Sequence, residues 1–134
     1  DLDYVAYANL SDDERTFTLE KGILFRGDPA ADTGRFVIGG GDYSLGPHDT
    51  HCFLLLPAKA PSIAGSTGHI FPGSEVSSFK AAGKKFTVKL HAGARRPVEI
   101  LVRVAKPGSY TINGSRVATE TVLPETHIVR ATIR

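Results

Sequence analysis

The densest group of side chains able to hold a metal ion is Asp42, His48, Asp49 and His51. Imidazole nitrogens and carboxylate oxygens both ligate divalent ions, and residues on a turn that leads into a strand are able to converge on one ion. His48, Asp49 and His51 are the candidate ligands on this reading. The alternative is that they are hydrated residues of a turn and a strand edge, with no metal and no cofactor.

A second possible chemistry is recognition of sugars. Aromatic rings serve as stacking platforms there, yet the chain has no tryptophan and four tyrosines. Tyr4 and Tyr7 are three apart, so on a strand they face opposite sides. Tyr43, in a glycine-rich loop, and Tyr110, ahead of a hairpin, are the candidate exposed rings. Arg95-Arg96-Pro97 offers two guanidinium forks that suit a carboxylate or sulfate, and the same segment also reads as an exposed hairpin loop.

Nucleophilic catalysis has little to rest on. There is no Gly-x-Ser-x-Gly elbow, and Cys52 lies in the most apolar run of the chain, where burial suppresses thiol reactivity. Gly39-Gly40-Gly41 precedes Asp42-Tyr43-Ser44 and Pro47 rather than a helix, so it is a turn and not a phosphate cradle. Asp12, Asp13 and Glu14 read as a solvated turn. Asn9 and Asn113 each fall in a glycosylation sequon.

These residues are positioned by strands. Fourteen glycines and eight prolines interrupt short runs rich in Val, Ile, Phe, Tyr and Thr, and no long window carries helical periodicity. Residues 85–91 alternate strictly, placing Phe86, Val88 and Leu90 on one face and Lys85, Thr87, Lys89 and His91 on the other. Residues 98–104 alternate likewise, with Val98, Ile100, Val102 and Val104 inward. Residues 51–56 are apolar on both faces over their last four positions, as in a strand covered on both sides. A loop is expected over residues 27–34. Asn113-Gly114 predicts a tight hairpin, because both residues readily adopt positive φ.

The pattern predicts an all-β fold, an antiparallel β-sandwich of about ten short strands with little or no helix. One β-sandwich domain over residues 1–134 fits the length. The Pro, Ala, Gly and Ser stretch at residues 57–74 leaves open two small units, 1–56 and 75–134, joined by a linker.

The chain carries a net charge of +2, but unevenly. Residues 1–56 hold ten acidic and four basic side chains, and residues 57–134 hold four acidic and twelve basic, giving −6 and +8. Two sheets attracting each other, solvated faces and a protein-binding surface are all compatible with that split. Basic residues alternate with apolar ones along strands and no aromatic-interleaved basic motif occurs, so nucleic acid is not an expected partner. No stretch nears the roughly 20 apolar residues of a membrane helix and no signal peptide is visible, so a soluble chain without a membrane partner is expected. The chain begins at Asp1 and has no methionine, which reads as a processed product or, more readily, as a segment of a longer polypeptide.

Val76-Ser77-Ser78-Phe79, the alternating runs at 84–90 and 98–104, and Gly108-Ser109-Tyr110-Thr111-Ile112-Asn113-Gly114 together resemble the carboxy-terminal β-sandwich domains of glycoside hydrolases. There an alternating strand pair precedes a hairpin of this kind. Residues 1–56, with an aliphatic strand after Leu45-Gly46-Pro47, look similar to the other β layers that follow such catalytic barrels. The resemblance implies a non-catalytic accessory module of a carbohydrate-active enzyme, whose partners are polysaccharide or an adjoining catalytic domain. A secreted or periplasmic setting is the accompanying expectation. No catalytic residue carries over. A structural or adhesive β-sandwich that binds another protein is one alternative. A small cupin-like metal-binding protein is the other, although a cupin has His-x-His and later Glu and His ligands, a frame this chain does not match.

Overall fold

The computed structural model describes residues 2–27 and 35–134; of the expected 27–34 loop, residues 28–34 lie outside the described residues. In chain order the strands are β1 (Asp3–Ala8), β2 (Arg15–Thr18), β3 (Ile23–Gly27), β4 (Arg35–Ile38), β5 (Asp42–Leu45), β6 (Thr50–Leu55) and β7 (Ser62–Ser66). They continue as β8 (Val76–Ala82), β9 (Lys85–Leu90), β10 (Val98–Val104), β11 (Ser109–Ile112), β12 (Ser115–Ala118), β13 (Glu120–Leu123) and β14 (Thr126–Ile133). The fold is all-β, with fourteen strands among the described residues where sequence pattern suggested about ten.

The described residues form three four-stranded sheets and one strand pair, with orders β1-β6-β3-β4, β13-β14-β10-β7, β12-β11-β9-β8 and β2-β5. Every pairing is antiparallel except β9 with β11, which run parallel. The β10 sheet is the middle layer, and the alternation of β10 shows why. Val98, Ile100, Val102 and Val104 point to one side, where they pack with Phe86, Val88, Tyr110 and Ile112 of the β9 sheet. Leu101 points to the other side and joins Ile128, Ala64, Phe25 and Leu54, so the β6 sheet covers the opposite face.

β6 repeats the device one layer out. Leu54 faces the middle sheet, while Phe53 packs with Leu19 and Leu24, under Tyr43 of the β2-β5 pair. The run at 51–56 is thus covered on both sides, as its composition predicts. Fully burying a Leu or Phe side chain contributes roughly 1.5–3 kcal/mol, so these two-sided strands carry much of the stability.

β7 lies inside the stretch that looked like a loop or linker. Its residues pair with β10, Ile100 opposite Ser66 and Leu101 opposite Gly65. Gly65 is small because the Phe25 ring lies on it: a β-carbon there would come within 2.6 Å of two ring atoms.

Candidate functional site

The metal reading fails on partners. His48 Nε2 lies 2.7 Å from Asp12 Oδ1, on an exposed turn. His51 turns elsewhere, with Nε2 3.0 Å from the Arg26 guanidinium and Nδ1 2.9 Å from the Tyr43 hydroxyl. A guanidinium only donates, so His51 Nε2 accepts and Nδ1 carries the ring proton towards Tyr43. Asp49 fixes the turn through its backbone, its C=O accepting from Asn9 N and its N–H donating to Gly46 O. His48, Asp49 and His51 do not converge, and among the described residues no group of three or more His, Cys, Asp or Glu is arranged to hold a metal ion.

The exposure expected of the two tyrosines is not found either. Tyr110 is 7 % exposed, its ring stacked on Phe86 at 5.4 Å and its hydroxyl donating to Lys106 O at 2.7 Å. Tyr43 is half-buried, edge-on to Phe53 and His51. Tyr4 and Tyr7 do face opposite sides, Tyr4 joining the cluster beneath the middle sheet and Tyr7 the one beneath β2-β5.

Both sequon asparagines are occupied. Asn9 is buried, and its amide nitrogen donates to the carbonyls of Asp13, Leu45 and Gly46. The Asn113 amide nitrogen donates to Val88 O. Cys52 is 2 % exposed, and burial pushes its thiol above the ordinary value, as its apolar run predicts.

Of the sugar-contact candidates, Arg95 and Arg96 are the two placed where a ligand could reach them. Both are exposed in the turn between β9 and β10. Arg95 lines a cleft of about 460 Å³ with Gly68, His69, Ser74, Glu75 and His91. A second hollow of about 320 Å³, lined by Thr67, Pro97 and Arg96, shares Gly68 and Arg95 with the first.

Glu75 is the feature that sequence reasoning missed. It is 7 % exposed although charged. Oε2 accepts from Ser66 Oγ at 2.7 Å, and that hydroxyl in turn accepts from Gly73 N at 2.7 Å. Oε1 is buried and has no hydrogen-bond partner. Gly68 lies against it, and a β-carbon there would sit 2.8 Å from Oε1 and 2.9 Å from Val98 Cγ2. The end of β7 and the turn after it therefore hold one carboxylate oxygen and close over the other, while Glu75 as a residue contributes to the wall of the cleft. One sequence signal does exist, since Glu75 is the lone acid between Asp49 and Glu99.

The rim adds donors and an apolar edge. His69 Nδ1 accepts from Phe71 N at 3.0 Å, which places the ring proton on Nε2 as a donor. The His69 ring stacks on Phe71 at 5.8 Å, and Phe71 and Ile70 are 44 % and 40 % exposed. His91 and Arg95 are exposed donors beside them. Among the described residues no second carboxylate lines this cleft.

The chain matches no family model, no curated protein and no solved structure.

Proposed function

We propose that this chain is a non-catalytic accessory module that holds a saccharide in the cleft over Glu75, in the service of a carbohydrate-active enzyme. The observation that carries the reading is Glu75 Oε1, a buried acceptor that no group of the chain satisfies. Leaving such an acceptor unpaired costs about 1–3 kcal/mol. A ligand hydroxyl donating to it would recover that cost on binding, provided the Gly68 turn that closes over Oε1 moves aside.

The surroundings fit the same ligand class. Phe71 stands beside the cleft, stacked on His69, and its exposed part offers an apolar surface to the C–H side of a sugar ring, while His69 Nε2, His91 and Arg95 offer donors to ring and hydroxyl oxygens. Glycoside hydrolysis needs two carboxyl groups flanking the bond. The cleft presents one, which favours holding over cutting.

Affinity electrophoresis through gels containing neutral and acidic polysaccharides tests this reading. Wild type is expected to be retarded by at least one of them; Glu75→Gln should lose about tenfold or more in affinity, the size expected for one lost charge-assisted hydrogen bond, and Phe71→Ala about three- to tenfold through loss of an aromatic contact. In the Gln variant the amide oxygen stays with Ser66, so an NH2 group that cannot accept replaces Oε1. Unretarded wild type in every gel overturns the proposal.

A further inference from the structure

The outward face of the β12-β11-β9-β8 sheet is built almost wholly of cations and hydroxyls. Phe86 and Val88 are buried against the middle sheet, so Lys85, Thr87 and Lys89 of β9 stand outward. The register extends that face to the neighbouring strands. Lys80 lies opposite Thr87, Ser78 opposite Lys89, Thr111 opposite Lys85, and Arg116 opposite Thr111.

Lys80, Lys85, Lys89 and Arg116 are exposed, and none of the four β-strands contains an acidic residue. Among the described residues none of these four cations makes an ion pair. Like charges held on one face without counter-charge repel each other, and a bound polyanion removes that repulsion while releasing its own counterions.

We infer that this face is a docking surface for an extended acidic polysaccharide, one carrying carboxylate or sulfate groups along its length. The cations are spread rather than clustered. Lys85 and Lys89 are about 13 Å apart along one strand and the neighbouring strands add about 4.8 Å each, a spacing that suits a charged polymer better than a single anion. Ser78, Thr87 and Thr111 lie between them as partners for sugar hydroxyls.

Nucleic acid fits less well, because the aromatic rings of this sheet, Phe79, Phe86 and Tyr110, pack inward and leave no platform for bases. β9 also gives the polymer a direction. His91, next but one after Lys89, lines the Glu75 cleft, so a chain laid along β9 arrives there. The inference rests on the saccharide reading for the class of polymer, but the face and the cleft are separate sets of side chains.

The test is retardation of the full chain by polygalacturonate, dextran sulfate and neutral dextran, over a series of salt concentrations. Wild type is expected to bind the two acidic polymers in a salt-sensitive way. K85Q/K89Q, exposed changes that leave the core intact, should weaken that binding about tenfold and flatten its salt dependence. Glu75→Gln should leave the salt-dependent part in place, so failure of the cleft reading and failure of this one are distinguishable. The inference is overturned by no binding to either acidic polymer at low ionic strength, by K85Q/K89Q binding like wild type, or by tighter binding of a single-stranded oligonucleotide. Salt-sensitive self-association that K85Q/K89Q abolishes, without polymer binding, also overturns it and assigns the face to a second copy of the chain.

Discussion

Asn113 holds both backbone groups of Val88: its Oδ1 accepts from Val88 N at 2.8 Å and its Nδ2 donates to Val88 O at 2.9 Å. β11 runs parallel to β9 for only two paired residues before the chain turns. At the turn Asn113 adopts a φ of 48° and Gly114 a φ of 82°, as a type I′ hairpin requires. The asparagine side chain then continues the ladder one step further than the backbone does.

Asn113→Ala should therefore cost more than an ordinary turn substitution. Two hydrogen bonds to part-buried backbone groups are lost, and alanine resists the left-handed conformation, for a total of about 2–3 kcal/mol. Gly114→Val isolates the backbone term, because a β-carbon at Gly114 meets nothing within 4 Å. Its cost should be about 1–2 kcal/mol. Urea denaturation checks both, with the midpoint falling at unchanged slope; a midpoint equal to wild type in either variant contradicts this account of the turn.

Much of the fold was legible because its strands obey period 2. β9, β10 and the hairpin follow from alternation and turn chemistry, and the two-sided character of β6 from its apolar run. β5, β7 and β13 were not legible. β7 reads Ser-Ile-Ala-Gly-Ser, a single isoleucine among small residues of low strand propensity, and it is a strand because β10 pairs with it and Phe25 needs Gly65 beneath its ring. Tyr110 shares parity with the inward Ile112, so its burial could have been read from the strand itself. Glu75 could not, because a carboxylate is ordinarily exposed and only the turn after β7 covers it.

Gly65→Ala tests the contact that joins the middle sheet to the β6 sheet. The new methyl group would overlap the Phe25 ring, and overpacking of this kind costs about 1–3 kcal/mol. In a Phe25→Leu background the same substitution should cost less, because the ring atoms are gone. A double-mutant cycle by denaturant unfolding measures that coupling, and additive effects would show that the two residues do not meet.

Cys52 should be silent in the native protein. It is 2 % exposed and burial raises its thiol, so little thiolate is present and none of it is accessible. An aromatic disulfide reagent should label it only as fast as the fold opens, and promptly in denaturant. Stoichiometric labelling within seconds under native conditions would place Cys52 at the surface.

Tyr4 links the core to the Glu75 cleft and predicts an alkaline transition. Its hydroxyl donates to Pro72 O at 2.9 Å, and its pKa is pushed up to about 12, first by desolvation and then by the negative charges of Glu75 and Cys52. The folded value lies above the unfolded value of 10.0. The folded state therefore keeps the proton longer, and the resulting stability is complete below pH 10 and is lost as pH rises through about 12. In a spectrophotometric titration one of the four tyrosines should ionise late, at about pH 12. Tyr4→Phe should remove that late step, and Glu75→Gln should move it to lower pH by removing a repelling charge. A late step that survives in Tyr4→Phe would assign it to another tyrosine and break the link between Tyr4 and the cleft.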